Sequence, residues 1–349
     1  MRLAPVWLIA TILCSTARAE FAAGDGPVGY RAFNAEMIGL VRSNRFDEVE
    51  ARAAQYRAAK ERGADGWWML AAFYAAVTGP SSKATPESFR NWFAASDRWI
   101  KAKPTSVTAL VARARSLRNY AWQARGSGYA DKVSDESWKL FFERLKEARV
   151  TLDRARAVAG RTTLCPGWYD AMMGVALGQQ WERADYEKLF AEATAAHPDY
   201  EDYYLTKAYY LLPRWHGAPG EWQRFAVEAR ARHGVGLYAR ICWAQARYEG
   251  FPQLFRDHGI AWRDVQDGFE ALRQRSPDSQ WVLNHYARMA VGAGDRATAL
   301  RLMREIGDNS YESAWTTRAN YDRALAWTMG GATVNELPEV PLSILPKKK

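Results

Sequence analysis

Apolar residues return every three or four positions along most of the chain, and that spacing restricts it to packed helices. Trp138, Phe141, Phe142, Leu145, Ala148, Leu152 and Ala155 mark one side of a long helix, and Ala299, Leu302, Met303 and Ile306 mark another. The punctuation agrees. Thr85-Pro86-Glu87 reads as an N-cap, a first-turn proline and an acid facing the helix dipole, and Ser276-Pro277-Asp278 repeats that grammar. Gly160, Gly178, Gly250 and Gly294 stand where periodic segments end, as C-cap glycines do. Alternating runs closed by hairpin turns, the sign of strands, are scarce. The expectation is an all-α chain of about a dozen helices, each roughly 10–20 residues long.

Many short amphipathic helices bury their stripes by stacking in pairs. From Pro277 the sequence PDSQWVLNHYARMAVGAGDRATALRLMREIGD resembles a tetratricopeptide repeat, with one helix, a Gly294-Asp295 turn and a second helix. Ala287 and Ala299 supply the small residues that let the two helices approach, and Met303 takes the place of a late aromatic. Pro104 and Pro198 open less faithful units, with Ala114 and Ala208 at the small position. These prolines do not fall at multiples of the usual ~34-residue period. The expected architecture is therefore an irregular tetratricopeptide-like helical repeat, an α-solenoid of stacked helical hairpins.

One segment interrupts the pattern: LLPRWHGAPGEW, residues 211–222. Pro213 ends the preceding helix, because its ring clashes there and it lacks an N–H. Ala218-Pro219-Gly220-Glu221 fits a type II turn, with glycine at the position that needs positive φ. A new stripe of Trp222, Phe225, Ala226 and Ala229 follows. Arg214, Trp215 and His216 at the tip are candidate binding residues, although a structural corner anchored by Trp215, with His216 facing solvent, is the preferred reading.

The stretches at 46–77, 209–226, 236–244 and 276–307, in that order, resemble the bacterial domain-of-unknown-function family 4034. That resemblance implies a tetratricopeptide-like helical fold and supplies no activity or catalytic residue. His216 stands where the family prefers glycine, which argues against an essential histidine there.

The first residues, MRLAPVWLIATILCSTARAE, read as a signal peptide over 1–19. Arg2 is the positive n-region, Leu3 to Ala17 an apolar core short of the ~20 residues a span needs, and Ala17-Arg18-Ala19 a cleavable end. The expected product is periplasmic or secreted. It comprises a helical-repeat domain over 20–335 and an extended tail over 336–349, with no membrane span after cleavage. Without Arg2 and Arg18 there are 46 basic and 39 acidic residues, a net charge of +7. The basic residues are scattered beside acids, apart from Lys347-Lys348-Lys349, which argues against a nucleic-acid partner.

Chemistry-bearing patterns are sparse. His197, His216, His233, His258 and His285 form no helical pair with metal-ligand spacing, so no metal or other cofactor is expected. No nucleophile elbow, P-loop or dinucleotide fingerprint occurs, and no catalytic residue is assigned. Cys165 and Cys242 could form a disulfide after export or remain separate buried thiols. Carboxylates such as Asp199, Glu201 and Asp202 read as helix starts or a solvated face. Sixteen tryptophans and seventeen tyrosines could stack on sugars, but read more simply as packing between irregular helices. These features fit an envelope module that binds or scaffolds another envelope protein. The alternative is a carbohydrate-active helical enzyme or cell-wall glycan binder.

Overall fold

The computed structural model describes residues 27–126, 132–160 and 164–330. These form seventeen helices. In order they are α1 (Pro27–Arg42), α2 (Phe46–Ala59), α3 (Met69–Val77), α4 (Pro86–Ala102), α5 (Val107–Arg125) and α6 (Asp135–Ala159). Next come α7 (Pro166–Gly178), α8 (Arg183–Ala196), α9 (Asp202–Tyr210), α10 (Glu221–His233), α11 (Val235–Glu249) and α12 (Phe251–Arg256). The last are α13 (Trp262–Arg275), α14 (Gln280–Ala293), α15 (Arg296–Ile306), α16 (Glu312–Trp315) and α17 (Arg318–Thr328). Among the described residues there is no strand, only an isolated bridge between Arg62 and Trp68. The chain is all-helical. The signal peptide over 1–19, the tail over 336–349 and Lys347-Lys348-Lys349 lie outside the described residues.

Most of the sequence punctuation operates as physics requires. The Thr85 hydroxyl caps α4 by accepting from Ser88 N, with Pro86 as the first helical residue. Gly160, Gly250 and Gly294 take positive φ after α6, α11 and α14. Two readings shift. Ser276 closes α13, and the cap of α14 is Ser279, which accepts from Val282 N at 3.0 Å. Gly178 is the last residue inside α7 and carries no positive φ. It is small because a Cβ there would come within 2.6 Å of the Leu145 side chain.

The repeat-like unit is built as its sequence suggests. Gly294 is left-handed, Asp295 caps α15 by accepting from Thr298 N, and Ala287, Ala299 and Met303 are buried where α14 and α15 meet. In α6, Phe141, Leu145, Ala148, Leu152 and Ala155 are buried, whereas Phe142 is 43% exposed. Helices pack against sequence neighbours, as in α5 with α6 and α10 with α11, and also against the next but one. Contacts of α7 with α3, α5 and α9, and of α9 with α11, make an inner path.

α7 is the pivot. All of its residues are buried, Asp170 among them. A helix that is apolar all round must be enclosed on every side. Gly167 allows that closeness, since a Cβ there would come within 2.3 Å of the Tyr74 ring. α9 is similarly flanked, so both Tyr203 and Tyr204 are buried, although neighbours on a helix point about 100° apart.

Candidate functional site

The inner path borders an open cavity of about 500 Å³. α1 contributes Tyr30 and Asn34, α5 Arg115 and Arg118, α7 Asp170, and α9 Asp202 and Thr206. Ala71, Ala72 and Ala75 of α3 form a low wall. The turn before α3 delivers Asp65 and Trp67. That turn is closed by backbone hydrogen bonds from Gly63 N to Trp67 O and from Met69 N to Glu61 O, both 2.8 Å. It is also tied to distant helices. Arg62 donates to Glu201 Oε1 at 2.6 Å, and Arg240 of α11 donates to Asp65 O at 2.5 Å.

Two of the three acids have both oxygens engaged. Asp65 accepts from the Tyr30 hydroxyl at 2.8 Å and from Trp67 N at 3.0 Å. Asp170 pairs with Arg115 through Oδ2 and accepts from the Thr206 hydroxyl through Oδ1 at 3.1 Å. Asp202 differs. Burial, and then the neighbouring Asp170 carboxylate, push it up to about 7, against the pull of Arg115 and Tyr200. It therefore exchanges its proton near neutrality, as acid–base groups in enclosed sites do.

The arginines also differ. Arg115 donates to Thr78 Oγ1 at 3.1 Å and pairs with Asp170. Arg118, one turn further along α5, has no hydrogen-bond or ion-pair partner among the described residues. Burial and the adjacent Arg115 push it down to about 10, against the pull of Asp170. Its room comes from Gly174, where a Cβ would lie 2.5 Å from Arg118 Nη1. Among the described residues no group of three or more His, Cys, Asp or Glu is placed to hold a metal ion.

The loop residues singled out in the sequence do not line this cavity. Arg214 lies over the Tyr209 and Tyr248 rings, with its guanidinium carbon 5.8 and 5.3 Å from their centres. Trp215 meets Trp122 edge-on at 5.8 Å and leans on Tyr209 at 5.7 Å. The loop is strapped down by Trp215 N to Leu212 O at 2.8 Å and His216 N to Tyr210 O at 3.2 Å. The type II turn is present, with Gly220 at φ 79° and Glu221 N donating to Ala218 O. His216 departs from the expected solvent-facing position. It is half-buried and stacks on Tyr210 at 4.4 Å, because the strap folds the tip back onto α9. The tightest point is Gly217, where a Cβ would lie 1.9 Å from Leu211 O.

The two cysteines are not joined. Both are free, buried thiols, Cys165 with Sγ 3.2 Å from the Tyr74 hydroxyl, and Cys242 in α11, where burial pushes it up to about 12. Of the acids in the sequence reading, Asp202 does start a helix, yet it also faces the cavity. Arg115, Arg118 and Asp170 were missed. The usable signal for Asp170 is a lone charge inside the otherwise uncharged run PGWYDAMMGVALG.

No family model, curated protein or solved structure matches this chain. The resemblance to family 4034 gains no support from those comparisons. Among the described residues no helix is long and apolar enough to cross a membrane.

Proposed function

We propose that the chain is an exported helical-repeat binding module of the bacterial envelope, and that the cavity on its inner path is where it takes hold of its ligand or partner. The observation that carries the reading is Arg118, a half-buried guanidinium at the cavity wall with no hydrogen-bond partner among the described residues. A guanidinium with open donors facing a cleft favours an incoming acceptor such as a carboxylate or phosphate. Stacked helical pairs present concave surfaces and usually act by binding, which fits the irregular α-solenoid read from the sequence. The signal-like leader supports export, and mature protein beginning at Glu20 in N-terminal sequencing would agree with it.

The test is a thermal-shift panel of envelope-derived ligands, comprising short peptides, glycan fragments and inorganic phosphate. A saturable rise with at least one ligand, lost on Arg118→Met, is the expected result. No saturable shift with any ligand at 10 mM would sink the proposal.

A second reading, a carbohydrate-active enzyme, draws support from Asp202. An acid at about 7 beside a second carboxyl is the arrangement general acid–base hydrolysis uses. Against it, Asp170 is occupied by Arg115 and Thr206. New reducing ends after incubation with cell-wall glycan, absent with Asp202→Asn, would favour the enzyme.

A further inference from the structure

We infer that the cavity recognises the carboxylate end of a small zwitterion, an amino acid or the end of a short peptide, with Arg118 as the group that grips the carboxylate. This rests on the binding-module reading above and names the ligand class for the same site.

Asp65 and Asp170 each have both oxygens engaged by protein donors, and Asp170 attracts Arg118 without a hydrogen bond between them. Arg115 is oriented by Asp170 and Thr78 through Nη1 and Nε, whereas Arg118 has no protein acceptor among the described residues to fix it and keeps its donors for a ligand. A guanidinium offers a planar fork that fits a carboxylate with two parallel hydrogen bonds. The fold also keeps space for that fork, because Gly174 presents no side chain where Arg118 Nη1 lies.

Charge balance narrows the ligand further. Two guanidiniums share the cavity with Asp65, Asp170 and Asp202. Arg115 offsets Asp170, but a simple anion on Arg118 would still face Asp65 and the part-ionised Asp202. An ammonium on the same ligand relieves that repulsion, and Asp202 is the cavity acid beside which a positive charge would be most welcome. A phosphate dianion fits poorly, since it carries a second negative charge toward the same carboxyls. About 500 Å³ is within the usual range for small-molecule sites, and Trp67 and Leu205 give apolar surface for a side chain.

The test is titration calorimetry at pH 7 with L-alanyl-L-alanine, its C-terminal amide, its N-acetyl form and inorganic phosphate. The free dipeptide should bind saturably, the amide about tenfold or more weakly, and the N-acetyl form several-fold more weakly. Arg118→Met should abolish binding while leaving the protein folded and of similar stability, because no hydrogen bond or ion pair within the protein is lost. Gly174→Ala crowds the flexible end of the same side chain and should weaken the dipeptide without unfolding the protein. Equal binding of acid and amide, or phosphate outcompeting the dipeptide, would overturn the inference. A loss of stability in Arg118→Met would also overturn it, by making Arg118 a structural group. If the dipeptide fails while a glycan fragment gives a saturable shift, this inference falls and the binding-module reading stands. If nothing in either panel binds, both fall.

Discussion

Replacing Asp202 with asparagine tests the electrostatics of the cavity without changing its shape. In the folded protein burial and Asp170 raise Asp202 from its usual 3.8 to about 7, with Glu201 adding to the push and Arg115 and Tyr200 opposing it. A carboxyl raised on folding binds its proton more tightly in the folded state. Its relative stabilisation is present below about pH 4 and is lost as pH rises through about 7. At about 1.4 kcal/mol per pH unit, the full distance sets a ceiling of about 4 kcal/mol. Water entering the cavity screens part of that, so roughly 1–3 kcal/mol should be observable. Asp202→Asn mimics the protonated acid. It should match the native protein at pH 4 and exceed it by that amount at pH 8, a melting difference of roughly 2 °C per kcal/mol. Urea unfolding of both proteins at pH 4, 6 and 8 provides the measurement. If the difference does not change with pH, Asp202 is solvated and the account of the cavity is wrong.

Three further outcomes follow from the packing. His285 is fully buried, with Nδ1 on Trp281 O at 2.8 Å, and burial pushes it down to about 3. Its contribution is present above about pH 6.5 and lost as pH falls toward 3, so His285→Gln should flatten acid unfolding in that window, read by circular dichroism. Gly217→Ala should destabilise by roughly 3 kcal/mol or more, because its Cβ would strike Leu211 O, whereas Gly220→Ala should cost only about 1 kcal/mol for positive φ. Comparable losses in chemical denaturation would count against this difference. Trp215→Ala should cost about 3 kcal/mol and His216→Ala about 1 kcal/mol, since both rings rest on aromatic neighbours. A Trp215→Ala variant that unfolds like the native protein would show that the loop is not an anchor.

Local structure was legible in the sequence wherever one residue's chemistry decides it. The cap at Thr85, the left-handed Gly294, the Asp295 turn and the type II turn at Gly220 all appear where their residues demand. The site was not legible, because it is assembled from α1, α3, α5, α7, α9 and the turn at Asp65, widely separated in the chain. Spacing rules see one helix at a time. Asp202 looks like an ordinary acidic helix start until Asp170 is brought beside it. Arg118 looks like one more surface arginine until Gly174 opens a place for it. His216 shows the converse error, for its partner Tyr210 is only six residues away, yet no periodicity brings them together.

The link from Arg240 to the carbonyl of Asp65 has a consequence for how the chain comes together in time. A stack of helical pairs can form outward from any point, each pair needing only its neighbours. This link joins positions 175 residues apart, so the wall carrying Asp65 and Trp67, held earlier by Tyr30 and Glu201, gains its last brace only once α11 is in place. At ordinary synthesis rates of about 5–20 residues per second, that is a delay of roughly 10–35 s after Asp65 is made. Intermediates ending before α11 would hold every residue that lines the pocket and lack only that brace. The pocket should therefore be lined early and stiffen late, when α11 reaches back to the Asp65 turn.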